Sequence, residues 1–358
     1  MGFERRNIQG MEGYTPGEQP GDSNTIKLNT NENPYPPSPR VASAVREFSS
    51  ASLRRYPPPM ADQFREMAAS RHGLNKDNII ATRGGDELLR LVITTFVDPG
   101  EVIAMTDPTY SLYPVLAQIQ DCTTYKIPLE TDWSLPRDFA EQVNASNAKL
   151  TFVVNPHAPS GYLIDGETIR NLAEDLNGIV LIDEAYVDFI DPRRGYDCLS
   201  LVTEYNNLIF LRTLSKGYSL AGLRFGYGIG NQELIQPILQ KTRDSYNLDA
   251  FSQRIATAAF KDHDYARGTW QKVRDERDRI SPLLRQLGLD PTASESNFLL
   301  VQLASDSSLT AKEIYEALKQ QQILIRYFDQ PRLLDKLRIT VGSYGENEHL
   351  IAALRELL

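Results

Sequence analysis

The chain has 358 residues, 41% of them hydrophobic and 24% charged, with a formal net charge of −9. This composition predicts a soluble globular protein with room for one large and one small domain, and the acidic balance argues against nucleic-acid binding. No apolar run approaches the ~20 residues of a membrane span. Neither the two cysteines nor the four scattered histidines form a disulfide or metal-binding motif, so we expect a cytoplasmic protein with no membrane partner and no metal site.

Residues 1–24 predict an extended arm. They are rich in glycine, proline and polar types, as in "GYTPGEQPGDSN", and hold too few apolar residues for a core of their own. The prolines of "NENPYPPSP" at 31–39 continue the extended character, because each proline biases the preceding residue away from helix.

Short apolar runs then alternate with helical patterns. Strands are predicted at 78–81, 102–105, 151–154, 179–182 and 208–211, and helices at 85–96 and 165–176. The runs are apolar throughout, which is typical of strands covered on both faces. Strands that alternate with helices predict an α/β fold whose large domain has a mostly parallel, doubly wound sheet.

The pattern changes after residue 243. A long helical stretch with possible breaks is followed by three strand-like runs, and Ser343 and Glu346 form a capping box that begins a last helix. These segments lie at 251–288, 297–303, 323–328 and 337–342. We predict an arm (1–24), a large domain (25–243) and a small α+β domain (244–358). The first residues of the large domain can pack with the small domain instead.

Two motifs resemble nucleotide-binding signals. The run "IVLIDEAYVDF" ends a strand with Asp183 and Glu184, as a Walker B strand does, but the chain has no GxxxxGK[ST] loop, which argues against an NTPase. An acidic strand end is still where ligand sites form in α/β proteins. The glycines of "FGYGIG" at 225–230 have the wrong spacing for a dinucleotide loop and predict a closely packed strand.

Two further motifs suggest a cofactor. "TRGGDELLRL" passes from a strand into a helix, whose free N–H groups suit a phosphate, although Asp86 could equally be an ordinary cap. "FLRTLSKGYSLAGLRFGY" places Lys216 and Arg224 in an apolar segment, where a lysine is unfavourable unless it is paired or neutral. A reactive lysine, a strand-end acid and a phosphate-binding helix start together suggest pyridoxal 5′-phosphate, which forms a Schiff base with lysine and pairs its ring nitrogen with a carboxylate.

At this point a resemblance to a known family covers nearly the whole chain. "TLSKGYSLAGLRFGY" resembles the lysine segment of the fold-type I aminotransferases, and the chain resembles the histidinol-phosphate aminotransferases among them. "LNTNENPYPPSP", "RRYPPP", "GGDELLRL", "DPTYSLYP", "LIDEAYVDF" and "LRITVGSYGENEHL" follow in the family's order. "TRGGDE" and "NPHAPSG" depart from the family's usual Gly-Asn-Gly and Asn-Pro-Asn-Asn-Pro-Thr-Gly runs, which weakens the inference about the substrate.

The resemblance implies three groups of site residues. Lys216 matches the Schiff-base lysine, Asp183 matches the partner of the ring nitrogen, Tyr186 and Asn155 match the groups that bond O3′, and Tyr110 matches the aromatic that stacks on the ring. The cofactor phosphate would be held by Gly85, Asp86, Thr213, Ser215 and Arg224, and by Tyr56 from the partner subunit of a homodimer with shared active sites. Tyr14, Arg326 and Arg338 would hold the anionic end of the substrate.

The implied reaction is reversible amino transfer in histidine biosynthesis, from L-histidinol phosphate and 2-oxoglutarate to imidazole acetol phosphate and L-glutamate. Two alternatives use the same cofactor: an aromatic amino-acid aminotransferase and a decarboxylase of threonine phosphate. A non-catalytic regulator on this fold is disfavoured, because such proteins usually carry an N-terminal DNA-binding domain where this acidic chain has only its arm.

Overall fold

The computed structural model describes residues 2–21 and 24–358, so residues 1, 22 and 23 of the predicted arm lie outside the described residues. The strands are β1 (Ile26–Lys27), β2 (Ile79–Thr82), β3 (Val102–Asp107), β4 (Thr123–Pro128), β5 (Leu150–Val154), β6 (Ile179–Asp183), β7 (Leu208–Thr213), β8 (Gly226–Gly230), β9 (Leu289–Pro291), β10 (Phe298–Leu303), β11 (Ile323–Leu324), β12 (Arg326–Tyr327) and β13 (Lys336–Thr340). The helices are α1 (Arg6–Gln9), α2 (Pro39–Arg46), α3 (Asp62–His72), α4 (Gly84–Phe96), α5 (Leu112–Ile119), α6 (Phe139–Ala145), α7 (Gly166–Asp175), α8 (Gln232–Pro237), α9 (Ala250–Lys261), α10 (His263–Gln286), α11 (Ala311–Gln320) and α12 (Tyr344–Leu357).

A seven-stranded sheet forms the centre of the molecule, in the order β2-β8-β7-β6-β5-β3-β4. Strands β3 to β7 run parallel to one another, whereas β8 runs antiparallel to both β7 and β2. Strands β2 and β5 are buried along their whole length, as the unbroken apolar runs predict. The predicted α/β class with a mostly parallel sheet is confirmed.

The glycine-rich strand β8 packs as closely as its sequence predicts. A Cβ atom added to Gly226 would lie 2.8 Å from the carbonyl carbon of Gly84, and one added to Gly228 would lie 2.9 Å from Leu88 Cδ1. Glycine is therefore needed where this strand meets the start of α4. The dinucleotide-loop alternative is excluded, because these glycines lie inside a strand.

A four-stranded antiparallel sheet, β12-β13-β10-β9, forms from the later part of the chain, with α10 and α11 packed against it. The long helical stretch predicted at 251–288 breaks at Asp262, between α9 and α10. Near the start of the chain, β1 pairs in parallel with β11, which joins residues 26–27 to residues 323–324. The domain boundaries at 24 and 243 remain predictions.

The last helix begins as predicted. The Ser343 hydroxyl accepts from the Glu346 backbone N–H, and Glu346 Oε2 accepts from the Ser343 N–H at 2.7 Å. This capping box satisfies two backbone donors at the start of α12. Within the described ranges no helix combines the length and the apolar character that a membrane crossing needs.

Candidate active site

A cavity of about 550 Å³ opens where the carboxyl ends of the large sheet face the four-stranded sheet. Asp183 and Lys216 line it from the large sheet, Arg326 and Arg338 from the small sheet, and Tyr14 from the arm. Parallel strands present their carboxyl ends along one edge, which is why side chains distant in sequence converge there.

Asp183 is the last residue of β6 and is only 5% exposed. Its Oδ2 accepts a hydrogen bond from Tyr113 Oη at 2.7 Å, and its Oδ1 accepts from the Ala185 N–H at 3.1 Å. Burial raises the pKa of Asp183 to about 6, although both hydrogen bonds act in the opposite direction. Its carboxylate faces the cavity and has no basic partner within the described part of the chain, which suits a ligand that presents a protonated nitrogen.

Lys216 follows the end of β7 by three residues and is half-buried. Its Nζ donates to the Thr30 carbonyl at 2.7 Å. Burial lowers the pKa of Lys216 to about 8, and the positive charge of Arg338 acts in the same direction. Lys216 is therefore not an exposed surface lysine, and its lowered pKa makes the neutral amine accessible near pH 8.

The start of α4 forms one wall of the cavity. Gly84 has φ of 75°, and a Cβ atom there would lie 2.8 Å from Arg224 Nη2. The residue that precedes the helix, Arg83, provides no side-chain cap. Asp86 does not cap the helix either; it lies in the first turn, where its Oδ2 accepts from Arg224 Nη2 at 3.0 Å. The backbone N–H groups at Gly85 and Asp86 and the Arg224 guanidinium suit a phosphate.

Hydroxyl groups complete this wall. Thr213 Oγ1 donates to Ser215 Oγ at 2.9 Å and accepts from the Ser215 N–H at 3.1 Å. Arg224 Nη1 lies 3.5 Å from Ser215 Oγ. Thr213, Ser215 and Arg224 all line the cavity, so the predicted phosphate-binding residues of one chain are brought together.

Two of the predicted tyrosines, Tyr110 and Tyr186, line the same cavity as Asp183 and Lys216. Tyr110 lines the cavity, and its ring lies edge-on to those of Tyr14 (centroids 5.8 Å apart) and Tyr113 (5.5 Å). The Tyr186 hydroxyl accepts from Asn31 Nδ2 at 2.9 Å. Burial raises the pKa of both Tyr110 and Tyr186, so both phenols are neutral donors near neutral pH.

Asn155, the predicted ring contact, lies outside the cavity lining. It is fully buried and does not line the cavity. Its Nδ2 donates to the Ile164 carbonyl at 3.0 Å and to Tyr196 Oη at 2.9 Å, and its Oδ1 accepts from the Ile164 N–H at 2.8 Å. These contacts occupy the amide, so its position gives no support to a ring contact. The asparagine that lines the cavity is Asn31.

Arg326 and Arg338 are directly opposite each other on β12 and β13. Arg338 Nη2 donates to the Asn29 carbonyl at 3.0 Å, while its buried Nε has no hydrogen-bond partner among the described residues. Like charges at a cross-strand pair are unfavourable. Burial lowers the pKa of Arg338, and the Arg326 charge adds to this effect. Two opposed cations, one of which has an unpaired buried donor, suit a bound anion.

Tyr56 lies apart from the cavity. It is 80% exposed, and its ring stacks on that of Tyr246 with centroids 4.4 Å apart. Its predicted contact comes from a partner subunit, which a single chain does not test.

Sequence reasoning missed Tyr113 and Asn31. Tyr113 follows the predicted Tyr110 by three residues, and its N–H donates to the Tyr110 carbonyl at 3.1 Å in the turn that leads into α5. That spacing was a usable signal. Asn31 had none, because its contact with Tyr186 joins residues 155 positions apart.

The residues present fit pyridoxal 5′-phosphate. Asp183 would pair with the ring nitrogen, Lys216 with the aldehyde carbon, and the wall at Gly85, Thr213 and Arg224 with the phosphate. Gly84 supports the same assignment, because only a residue without Cβ leaves room for the Arg224 guanidinium beside the helix start. Among the described residues no group of three or more His, Cys, Asp or Glu could hold a metal ion.

Comparisons with known proteins show the family to which the chain belongs. Residues 23–354 match the model of the family described as aminotransferase class I and II. The histidinol-phosphate aminotransferase 1 of Trichormus variabilis is 44% identical over 357 residues, with 99% of each chain covered. The histidinol-phosphate aminotransferase 1 of a Nostoc species is 42% identical, with 99% of this chain and 98% of the relative covered.

Among solved structures, this chain is similar to the histidinol-phosphate aminotransferase of Sinorhizobium meliloti in complex with pyridoxal 5′-phosphate. The TM-score is 0.86 at 26% identity, with 93% of this chain and 91% of that chain covered.

Proposed function

The chain belongs to the class I and II aminotransferases, and from this premise we propose that it is a histidinol-phosphate aminotransferase with pyridoxal 5′-phosphate as its cofactor. The reaction is reversible transfer of an amino group between L-histidinol phosphate and 2-oxoglutarate, which gives imidazole acetol phosphate and L-glutamate. The observation that carries the proposal is one cavity that holds the Lys216 amine, the buried Asp183 carboxylate and the opposed arginines Arg326 and Arg338.

Each residue has a physical task in this proposal. Lys216 Nζ, with its lowered pKa, would act as the base that takes the proton from the substrate Cα and returns it. Asp183 would hold a proton on the ring nitrogen, and Tyr186 would donate a hydrogen bond to the ring oxygen. The bound cofactor supplies an aldehyde that captures amines and a ring that accepts electrons.

Arg326 and Arg338 explain how one site can bind two substrates with different anionic groups. One half-reaction brings a carboxylate into the site and the other brings a phosphate. A guanidinium matches either anion with two parallel hydrogen bonds. Arg326 and Arg338 would therefore serve both substrates, with Tyr14 closing the cavity from the arm.

We also propose a cytoplasmic homodimer with shared active sites, in which Tyr56 of each subunit reaches the cofactor phosphate of the other. The exposure of Tyr56, which is 80%, supports this, because an aromatic side chain that leaves most of its surface uncovered is available to a partner.

A half-reaction screen tests the substrate assignment. The protein is loaded with pyridoxal 5′-phosphate, converted with L-glutamate, freed of small molecules and mixed with candidate oxo compounds while the visible absorbance is followed. We expect imidazole acetol phosphate to restore the absorbance fastest. L-Histidinol, which lacks the phosphate, should react with the starting form about 10- to 100-fold less efficiently than L-histidinol phosphate, because it loses a charge-assisted contact to the arginines.

The two alternatives predict different results. Faster recovery of the visible absorbance with phenylpyruvate than with imidazole acetol phosphate would identify an aromatic amino-acid aminotransferase. Release of carbon dioxide from threonine phosphate without any oxo acid would identify a decarboxylase. No change of absorbance with L-glutamate would remove the aminotransferase assignment altogether.

A further inference from the structure

A buried polar chain lies on the face of the large sheet that is turned away from the cavity. Side chains alternate between the two faces of a strand. On β7, Leu211 and Thr213 line the cavity, so Arg212 between them points to the opposite face. Asp183 lines the cavity, whereas Glu184, the next residue, points the other way.

Glu184 and Arg212 form an ion pair on that face. Arg212 Nε donates to Glu184 Oε2 at 2.7 Å, and the two side chains are 16% and 0% exposed respectively. The pair links neighbouring strands, because the Glu184 N–H also donates to the Leu211 carbonyl at 2.8 Å. The carboxyl ends of β6 and β7 are therefore joined by both backbone and side-chain contacts.

The chain of contacts continues to a third strand. Tyr196 Oη donates to the other Glu184 oxygen, Oε1, at 2.8 Å and accepts from Asn155 Nδ2 at 2.9 Å. The Asn155 N–H donates to the Asp183 carbonyl at 2.8 Å. Asn155 follows β5 directly, so the network connects the carboxyl ends of β5, β6 and β7, and Asp183 ends the middle strand. This gives Asn155 a place in the molecule other than the predicted ring contact.

The electrostatic consequence reaches the cavity. Burial is the main cause that raises the pKa of Asp183, and the negative charges of Asp86 and of the adjacent Glu184 act in the same direction. Arg212 offsets the Glu184 charge at hydrogen-bond distance. Without Arg212, Glu184 would keep the Tyr196 hydroxyl as a hydrogen-bond partner but would lose its cation. The negative charge of Glu184 would then favour the protonated form of Asp183.

We propose that Arg212 is a positioning residue of the cofactor site: through Glu184, it keeps the Asp183 carboxylate in place and charged on the other face of the sheet. The inference rests on the proposed function, because the cofactor is what Asp183 would bind. It concerns a residue that does not line the cavity and that would touch neither cofactor nor substrate.

The test measures the dissociation constant of pyridoxal 5′-phosphate for the cofactor-free full chain, by absorbance titration well below the melting temperature. Arg212→Leu should raise it at least about tenfold, because it leaves a buried charge unpaired. Arg212→Lys, which keeps the charge, should have a dissociation constant between those of the unmodified protein and Arg212→Leu. The double variant Glu184→Gln/Arg212→Leu, which removes both charges, should bind within about threefold of the unmodified protein.

Arg170→Leu is the matched control. Arg170 pairs with Glu204, but the two side chains are 43% and 46% exposed, so their loss should leave cofactor binding unchanged. If the role of Arg212 were purely structural, Arg212→Leu would lower the melting temperature, and the added Glu184→Gln change would not restore cofactor binding.

Two results would overturn the inference: cofactor binding by Arg212→Leu within about twofold of the unmodified protein, or a double variant that binds as weakly as Arg212→Leu. If Arg212→Leu does not fold, the double variant decides. Cofactor binding near that of the unmodified protein supports the inference. A loss of about tenfold or more, which is the effect expected of an unpaired buried charge, contradicts it. Absence of cofactor binding by the unmodified protein would instead overturn the proposed function.

Discussion

Burial shifts the pKa values of the two central ionisable groups, Lys216 and Asp183, in opposite directions. It lowers the pKa of Lys216 to about 8 and raises that of Asp183 to about 6. Both shifts disfavour the charged form, as expected for groups removed from water. As the pH rises from 6 to 8, the ionised form of Asp183 becomes dominant and the neutral fraction of Lys216 increases. A base and an electrostatic partner can thus operate together near neutral pH.

We predict that cofactor capture depends on the ionisation of Lys216. Only the neutral amine attacks an aldehyde, so the rate at which the cofactor-free protein combines with pyridoxal 5′-phosphate should rise about tenfold per pH unit below pH 8 and level off above it. Stopped-flow measurement of the visible absorbance from pH 6 to 10 checks this. Lys216→Ala is the control and should give no such absorbance and no turnover.

A rate that keeps rising to pH 10 would mean that the amine has the ordinary pKa of lysine, and the predicted effect of burial on Lys216 would be wrong. Visible absorbance in Lys216→Ala equal to that of the unmodified protein, together with normal turnover, would remove the assignment of the lysine itself.

At the scale of elements, the start of α4 and the loop before β8 fit each other through unusual backbone conformations. Gly84 and Arg224 both have positive φ, of 75° and 56°. The Arg224 guanidinium fills the space where a Cβ of residue 84 would lie, 2.8 Å from Nη2. Only glycine adopts the left-handed region freely, so the geometry of this wall depends on the residue type at position 84.

Gly84→Ala should therefore lower the free energy of unfolding by about 1–2 kcal/mol, because it strains the backbone, and it should also weaken cofactor binding, because it displaces Arg224. Urea unfolding of the cofactor-free protein and a cofactor titration measure the two effects. The control is Gly268→Ala in the interior of α10, where an added Cβ meets nothing within 4 Å. That change should stabilise the protein by up to about 1 kcal/mol. Equal stability of the two variants would contradict the prediction.

At the scale of the whole molecule, the cavity is assembled from distant parts of the chain. The arm crosses it between two attachments: Asn7 Nδ2 donates to the Gln118 carbonyl at 2.9 Å, and Glu18 pairs with Lys319 at 2.8 Å. Arm residues between these attachments, including Tyr14, line the cavity. The large sheet, the small sheet and the arm thus each contribute one wall.

The proposed sharing of sites between subunits predicts complementation. In a dimer of one Tyr56→Ala chain with one Lys216→Ala chain, one site would carry both defects and the other would carry neither. Mixing the two impaired proteins under conditions of subunit exchange should raise activity toward about a quarter of the unmodified value, because half of randomly paired dimers are hybrids with one intact site.

Sedimentation of the unmodified protein checks the dimer first, and Tyr56→Ala mixed with itself is the control. If each site used the Tyr56 of its own chain, mixing would give no more than the average of the two separate activities, and the sharing of sites would be rejected.

The sequence alone determined the elements whose signal is local. Unbroken apolar runs predicted β5 and β6 because both faces of these strands are covered, and the capping box at Ser343 predicted where α12 begins. The convergence of Asp183 and Lys216 was also predictable, because parallel strands end at one edge.

The tertiary structure alone decided the rest. It made β8 antiparallel to its neighbours, gave the Asn155 amide partners outside the cavity lining, and set Arg326 opposite Arg338. It also brought Asn31 to Tyr186 across 155 positions. The physical reason is common to all four: a local pattern states which residues prefer burial or a turn, whereas the partner of each polar group depends on packing between segments that are far apart in the chain.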